Sequence, residues 1–200
     1  MIRNLDPERR QFYMYMLDLE RSQRRNIRLV LEDNDSLRRK QFSYPEFKNA
    51  IEKLDPYVDR NMLWTVFKDY LVPGEEKFYY EQFCDTIDDV RRKKIQFESV
   101  LKRIYDRILS NEKNIFDLLE AGDQFRDGTS DKNEMLKELS RYGIDLYGQD
   151  LENLVFFTDT GKHDGRLSHR ELKKLFADYL KSIGKNIDEL SRTAHLKGIQ

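Results

Sequence analysis

The chain has 200 residues, 38% of them hydrophobic and 36% charged, with a formal net charge of −1. That mixture fits one or two water-facing helical domains, and no stretch approaches the ~18 apolar residues of a membrane-spanning helix, so a membrane protein is not expected. A pI near 6.4 offers no basic field for nucleic acid, and Cys84 has no second cysteine with which to form an internal disulfide.

Taken in chain order, Met1-Ile2-Arg3-Asn4-Leu5 lacks the charged start and long apolar core of a secretory signal, which predicts a cytosolic or cytoskeletal protein. Asp6-Pro7 reads as a helix N-cap with proline in the first turn, opening a helix through about Glu20. Phe12, Tyr13, Tyr15, Met16, Leu17 and Leu19 lie around most of that helix, so it needs cover from more than one side, either from the units that follow or from a partner.

Ile27, Val30 and Leu31 then form the apolar stripe of an entering helix, and Phe47, Ile51 and Leu54 that of an exiting one. Between them Asp35 to Glu46 has the length of a loop that cages a hard cation. Such a loop wants acidic or amide side chains at its first, third and fifth places, glycine at the sixth and a bidentate glutamate at the twelfth. Here only the ends comply: Leu37 and Arg39 stand at ligand places, Lys40 replaces the turn glycine, and a buried cationic pair is expected to repel metal. Val58, Met62, Val66 and Phe67 enter the second unit, and Leu71 to Gln82, with Pro73-Gly74 and no regular ligand set, reads as a structural loop.

From Tyr79 to Leu109 a helical pattern continues through Phe83, Ile87, Val90, Phe97, Leu101, Ile104 and Ile108, carrying the basic run Arg91-Arg92-Lys93-Lys94 midway. Ser110-Asn111 breaks it, and Ile115, Leu118 and Leu119 enter a third unit. Its loop holds Asp123, Asp127, Gly128 and Glu134 at the first, fifth, sixth and twelfth places, but Phe125 at the third. A phenyl ring supplies no oxygen, so at most one incomplete calcium site is expected, with ligands Asp123, Asp127, the Thr129 carbonyl, Asp131 through water, and Glu134.

The fourth unit has Leu151, Leu154, Val155 and Phe156 entering and Leu172, Leu175, Phe176 and Leu180 leaving. Its loop reads in two registers. One starts at Thr160 and puts Lys162 third and Asp164 fifth; the other starts at Asp159 and is one residue too long. Either departs from a regular metal loop. Ile187 to Leu196 could add a short terminal helix.

A recurring signature ties these units together. Phe42 with Glu46-Phe47, Phe78 with Gln82-Phe83, Ser130 with Glu134-Met135 and Leu167 with Glu171-Leu172 each place a residue four before a Glu or Gln that an apolar residue follows. Phe42 and Phe78 lie 36 residues apart and Ser130 and Leu167 37, the mark of repeated units that bury their apolar faces against neighbours.

On these loops and their spacing, the chain resembles the EF-hand superfamily, in the four-unit layout of calmodulin, troponin C and centrin, over roughly residues 20 to 183. The resemblance implies an all-α fold of two EF-hand pairs joined by a long central helix. Its expected organisation is an N-terminal helix at 1–20, a degenerate first pair at 21–90, a linker helix at 91–110, a second pair at 111–183 and a tail at 184–200.

No catalytic constellation accompanies it. His163, His169 and His195 are expected on the surface, Cys84 is remote from them, and the 9 glycines form no phosphate-binding loop, so an enzyme is not expected. Two functions stay open: a calcium sensor that opens a groove for target helices through its third loop, or a structural adaptor that has largely lost metal. Sensor grooves are lined with methionine. This chain has 5, and Met1, Met14 and Met16 precede the first unit, whereas Tyr, Phe and Arg are abundant, as in large fixed interfaces. The degenerate loops and arginine-rich helices resemble EF-hand proteins of centrioles and ciliary microtubules. That likeness implies tubulin or axonemal proteins as partners, with no nucleic acid and no membrane, and Arg24-Arg25-Arg28, Arg38-Arg39-Lys40 and Arg91 to Lys94 as contacts for an acidic wall.

Overall fold

The computed structural model describes residues 5–72, 74–110, 115–123, 126–159 and 165–185, and it is mostly helical with two small strand pairs. It divides into two compact units, residues 1–92 and 93–200, with one helix, α5 (Tyr80–Ser110), running from the first into the second. No described helix is long and apolar enough to cross a membrane.

Unit 1 opens with α1 (Pro7–Gln23), where the Asp6 carboxylate accepts from the Arg9 N–H at 2.8 Å, so an orphan donor of the first turn is satisfied. Arg24 ends the helix in the left-handed region, at φ 52°. Then follow α2 (Ile27–Asn34), β1 (Gln41–Ser43), α3 (Tyr44–Glu52), α4 (Arg60–Asp69) and β2 (Lys77–Tyr79) before α5 begins. The strands pair antiparallel with Phe42 opposite Phe78, so two of the four signature residues meet face to face, both buried.

Around that pair the core is aromatic. Phe78 lies 4.8 Å from Phe47 and 5.0 Å from Phe67 between ring centroids, both edge to face, and Phe83 stands 5.2 Å from Phe47. Leu71 pairs antiparallel with Phe78, so the chain turns back on itself ahead of α5. The Val72 N–H donates to the Lys77 carbonyl at 3.2 Å and the Glu75 N–H to the Val72 carbonyl at 3.0 Å, with Gly74 at φ 84° making the turn.

The α1 helix finds its cover inside unit 1. Phe12, Tyr13, Met16, Leu17 and Leu19 are buried, and Tyr13 tilts against Phe83 at 5.8 Å. Of the two covers the sequence left open, the following elements of unit 1 supply it, so these side chains are not left over for a partner. The physical reason is that α1 meets α4 and α5: the Arg9 guanidinium grips Asp69 of α4 with two bonds, at 2.5 and 2.8 Å, and Arg91 of α5 donates to Glu20 at 2.5 Å.

Unit 2 takes the rest of α5, then α6 (Ile115–Gly122), β3 (Thr129–Ser130), α7 (Lys132–Arg141), α8 (Gly148–Thr158), β4 (Leu167–Ser168) and α9 (His169–Ser182). Here Ser130 pairs with Leu167, the other two signature residues, and Thr129 with Ser168. Met135, Leu139, Leu154, Leu167, Leu172, Phe176 and Leu180 make the core, and Phe97, Val100, Leu101 and Ile104 of α5 are buried with them. Polar ties fix α5 to the α7–α8 connection: Arg103 donates to the Asp145 carbonyl at 2.9 Å and to the Asp150 carboxylate at 2.7 Å, and Arg107 to the Tyr142 carbonyl at 2.7 Å.

Candidate functional site

The expected metal ligands Asp123, Asp127, Thr129, Asp131 and Glu134 run from the end of α6 through β3 into the first turn of α7, and each is engaged by the protein's own donors. The Asp123 carboxylate accepts from the Gly128 N–H at 2.7 Å, and Gly128 at φ 72° supplies the sharp turn that aims that N–H inward. Asp127 accepts from the Thr129 N–H at 2.8 Å and the Thr129 hydroxyl at 2.7 Å, bonds that hold its carboxyl below the usual range. Asp131 and Glu134 form the helix start: the Asp131 carboxylate accepts from the Asn133 and Glu134 N–H groups at 2.8 and 2.9 Å, and Glu134 accepts from the Asp131 N–H at 2.8 Å. Asp131 thus serves as an N-cap, and its spacing to Glu134, three residues on and just before Met135, is the sequence sign of that capping box. Phe125, the misfit of the metal pattern, lies outside the described residues.

A cation does stand among these groups, and it is a side chain. Arg166, immediately before β4, donates through Nε to the Thr129 hydroxyl at 2.8 Å and through Nη2 to the Thr129 carbonyl at 3.4 Å. The same Nη2 lies 3.8 Å from Glu134 Oε2 and 3.9 Å from Asp127 Oδ2. Thus the fifth-place carboxylate, the seventh-place carbonyl and the twelfth-place glutamate all face one guanidinium. As arranged, the set does not fit a calcium ion, which would have to share those oxygens with a positive charge a few ångströms away.

The other loops repeat part of this pattern. Asp35, buried, accepts from the Arg39 N–H at 3.0 Å, the Lys40 N–H at 2.6 Å and the Tyr80 hydroxyl at 3.3 Å. Lys40 stands where a glycine was wanted and adopts the same left-handed backbone, at φ 56°. The expectation of a buried cationic pair is corrected: Arg39 and Lys40 point outward, Arg39 toward Glu46 at 3.7 Å and Lys40 onto Glu81 at 2.5 Å. Glu46 in turn accepts from the Ser43 N–H and hydroxyl, closing the start of α3.

In the fourth unit the Asp159 carboxylate accepts from the Gly165 N–H at 3.1 Å, with Gly165 at φ 74°. That bond matches Asp123 to Gly128 and Asp35 to Lys40, and it selects Asp159 as the loop's first residue, with one residue more than the other two loops. Thr160, Lys162, Asp164 and His163 lie outside the described residues, as do His195 and the segment from Ile187 to Leu196.

His169 corrects another expectation, for it is buried rather than on the surface. Its N–H donates to the Gly128 carbonyl at 2.9 Å, its Nε2 lies 2.6 Å from the Ser130 hydroxyl, and Nδ1 has no hydrogen-bond partner. Burial pulls its pKa down, against the pull of Asp123 and Asp127.

Among the described residues no group of three or more His, Cys, Asp and Glu side chains is placed to hold a metal ion. A groove of about 360 Å³ in unit 1 is lined by Phe12, Tyr15, Asp55, Tyr57 and Met62 among others, and its Tyr15 hydroxyl donates to the Asp55 carboxylate. Compared with known proteins, the chain matches no family model and no curated sequence.

Several members of the basic runs offered as contacts are paired within unit 1. Arg28 bridges Asp85 and Asp88, each at 2.9 Å, Arg91 joins Glu20 and Asp88, and Arg25 lies 3.9 Å from Asp33. Arg92 is the most open member of its run, its side chain 72% exposed and paired with Asp89 of its own helix, at 3.3 Å.

Proposed function

We propose that the chain is a non-enzymatic structural or adaptor protein of the EF-hand fold, in two pairs of units, held together by apolar packing and by its own hydrogen bonds rather than by calcium. The observation that carries this reading is the repeated closure of its loops. Three carboxylates at the first places of these loops, on Asp35, Asp123 and Asp159, each accept a backbone N–H from the turn of the same loop. A loop already satisfied from within keeps its shape without an ion.

The proposed partner is a cytoskeletal assembly, with tubulin or axonemal proteins of a cilium or flagellum as the specific candidates and the cytoplasmic cytoskeleton as the location. The likeness of the degenerate, arginine-rich units to centriolar and ciliary EF-hand proteins supports this choice. With the aromatics of α1 buried, contact falls to surface groups: the exposed arginines Arg24, Arg38 and Arg92, and the exposed apolar side chains Leu29, Leu37 and Tyr57. Charge steers such an encounter and exposed apolar side chains add affinity.

Co-sedimentation with polymerised microtubules tests the reading. The protein should pellet with them equally in chelator and in calcium, and the variant R24E/R38E/R92E should release at lower salt. Pelleting only when calcium is present would favour the second reading, a calcium sensor acting through the third loop. The retention of Asp127, the Thr129 carbonyl and Glu134 around one cation supports that reading.

A further inference from the structure

We propose that the Arg166 guanidinium is the resident cation of the loop between α6 and α7, a tethered occupant that an oxygen-seeking divalent ion such as calcium must expel before it can take the loop's ligands. The inference rests on the metal-independent reading above and deepens it, by naming the group that makes the third loop a poor metal site although its carboxylates survive.

Strand register brings Arg166 to this place. With Ser130 opposite Leu167 and Thr129 opposite Ser168, the residue just before β4 falls beside the end of β3, where the loop's acidic groups gather. The side chain then contacts the groups a metal would use: the Thr129 carbonyl at 3.4 Å, Glu134 at 3.8 Å and Asp127 at 3.9 Å. Its Nε–H is bound to the Thr129 hydroxyl at 2.8 Å, and that hydroxyl donates onward to Asp127 at 2.7 Å, so the planar fork is oriented as well as attracted.

A tethered charge competes at an effective concentration that free ions in solution do not match. Coulomb repulsion also forbids sharing: a doubly charged ion placed on the same oxygens would lie within a few ångströms of a permanent positive charge. The first loop repeats the device by another route, since its own Arg39 lies 3.7 Å from Glu46, the glutamate that corresponds to Glu134. In both loops an arginine faces the carboxylate that a calcium ion would need in bidentate form.

The test is calorimetric titration of the full chain with calcium chloride, comparing the natural sequence with R166Q, R166K and R166Q/E134Q. Removing the charge in R166Q should tighten calcium binding by at least about tenfold. R166K keeps a tethered charge and should stay near the natural chain, and adding E134Q should remove the gain. An R166Q chain that binds no more tightly than the natural one overturns the proposal while leaving the metal-independent reading intact. That reading falls separately if the natural chain itself binds with a Kd below about a micromolar. If R166Q loses helix, the natural chain carries the test through its Arg166 Nε–H resonance in nitrogen-correlated NMR. A protected resonance that millimolar calcium displaces supports the proposal, and a resonance exchanging freely with solvent in chelator overturns it.

Discussion

The hydroxyl of Tyr13 on α1 donates to the hydroxyl of Tyr70 at the end of α4 across 2.6 Å, because the Tyr70 proton is already committed to Thr86 at 2.7 Å. Thr86 passes its own proton to the Gln82 carbonyl at 3.0 Å, so one hydrogen-bond relay links α1, α4 and α5 inside unit 1. A helix tied in this way is part of the core and not an appendage. Y13F should therefore cost unit 1 about 1 kcal/mol in urea unfolding. M16A, at a fully buried position, should cost about 2–5 kcal/mol. A chain that starts at residue 24 and unfolds with an unchanged urea midpoint would show that α1 is dispensable.

Neighbouring arginines of one basic run should behave oppositely. Arg91 is tied to Glu20, whose side chain is only 11% exposed and whose other oxygen accepts from the Ile27 N–H at 2.7 Å. R91E places a carboxylate against two carboxylates and should destabilise unit 1 by about 1–3 kcal/mol, discounted for the partial exposure of the arginine. R92E should stay within about 0.5 kcal/mol of the natural chain, because the Arg92 side chain is 72% exposed and, among the described residues, pairs only with Asp89 of its own helix turn. Equal losses at the two positions would contradict this assignment.

Low pH should loosen the same junction. Burial pushes the Asp88 carboxyl up, but hydrogen bonds from Arg28 and Arg91 outweigh it and leave the group below the ordinary carboxylate range. A depressed carboxylate contributes stability that is present above its unfolded-state pKa of about 4 and is lost as pH falls through the folded value. The urea midpoint of unit 1 should thus fall between pH 5 and pH 3 (roughly one unit either side of that pKa), and D88N should flatten that part of the profile. A D88N profile identical to that of the natural chain would count against the role given to Asp88.

The one thiol should report on opening of unit 1. Burial raises the Cys84 thiol to about 12, with Arg28 only partly opposing. At pH 8 almost no thiolate is present in the folded chain, and alkylating reagents should react only through unfolded or locally open states. Mass spectrometry should find Cys84 unmodified in buffer and fully modified in denaturing urea; rapid native labelling would mean that α5 is not packed as described.

What the sequence disclosed and what it withheld follow from the range of the interactions involved. The spacing of Phe42, Phe78, Ser130 and Leu167 was legible because each residue repeats a local motif, and those four residues prove to be the ones that meet across the two strand pairs. The long helix expected over 79–109 is found at Tyr80–Ser110, since an apolar period of three and four residues continues without a breaker. Loop closure by Asp35, Asp123 and Asp159 was hidden because a carboxylate at the first place suits a metal and a backbone N–H equally well. The role of Arg166 was hidden for a different reason: its partner Thr129 is 37 residues away, and only strand register joins them. Burial of α1 likewise depended on what α4 and α5 offered it, which its own pattern of aromatics could not reveal.

The central claim is that the fold stands without metal, and far-UV circular dichroism of the full chain during heating tests it most directly, in excess chelator and again in millimolar calcium. The account predicts the same helical signal at the start and unfolding midpoints within about 3 °C of each other, the shift expected for a ligand that binds weakly at one site. Loss of helix in chelator, restored by calcium, would show that the loops are held by the ion and would contradict the account.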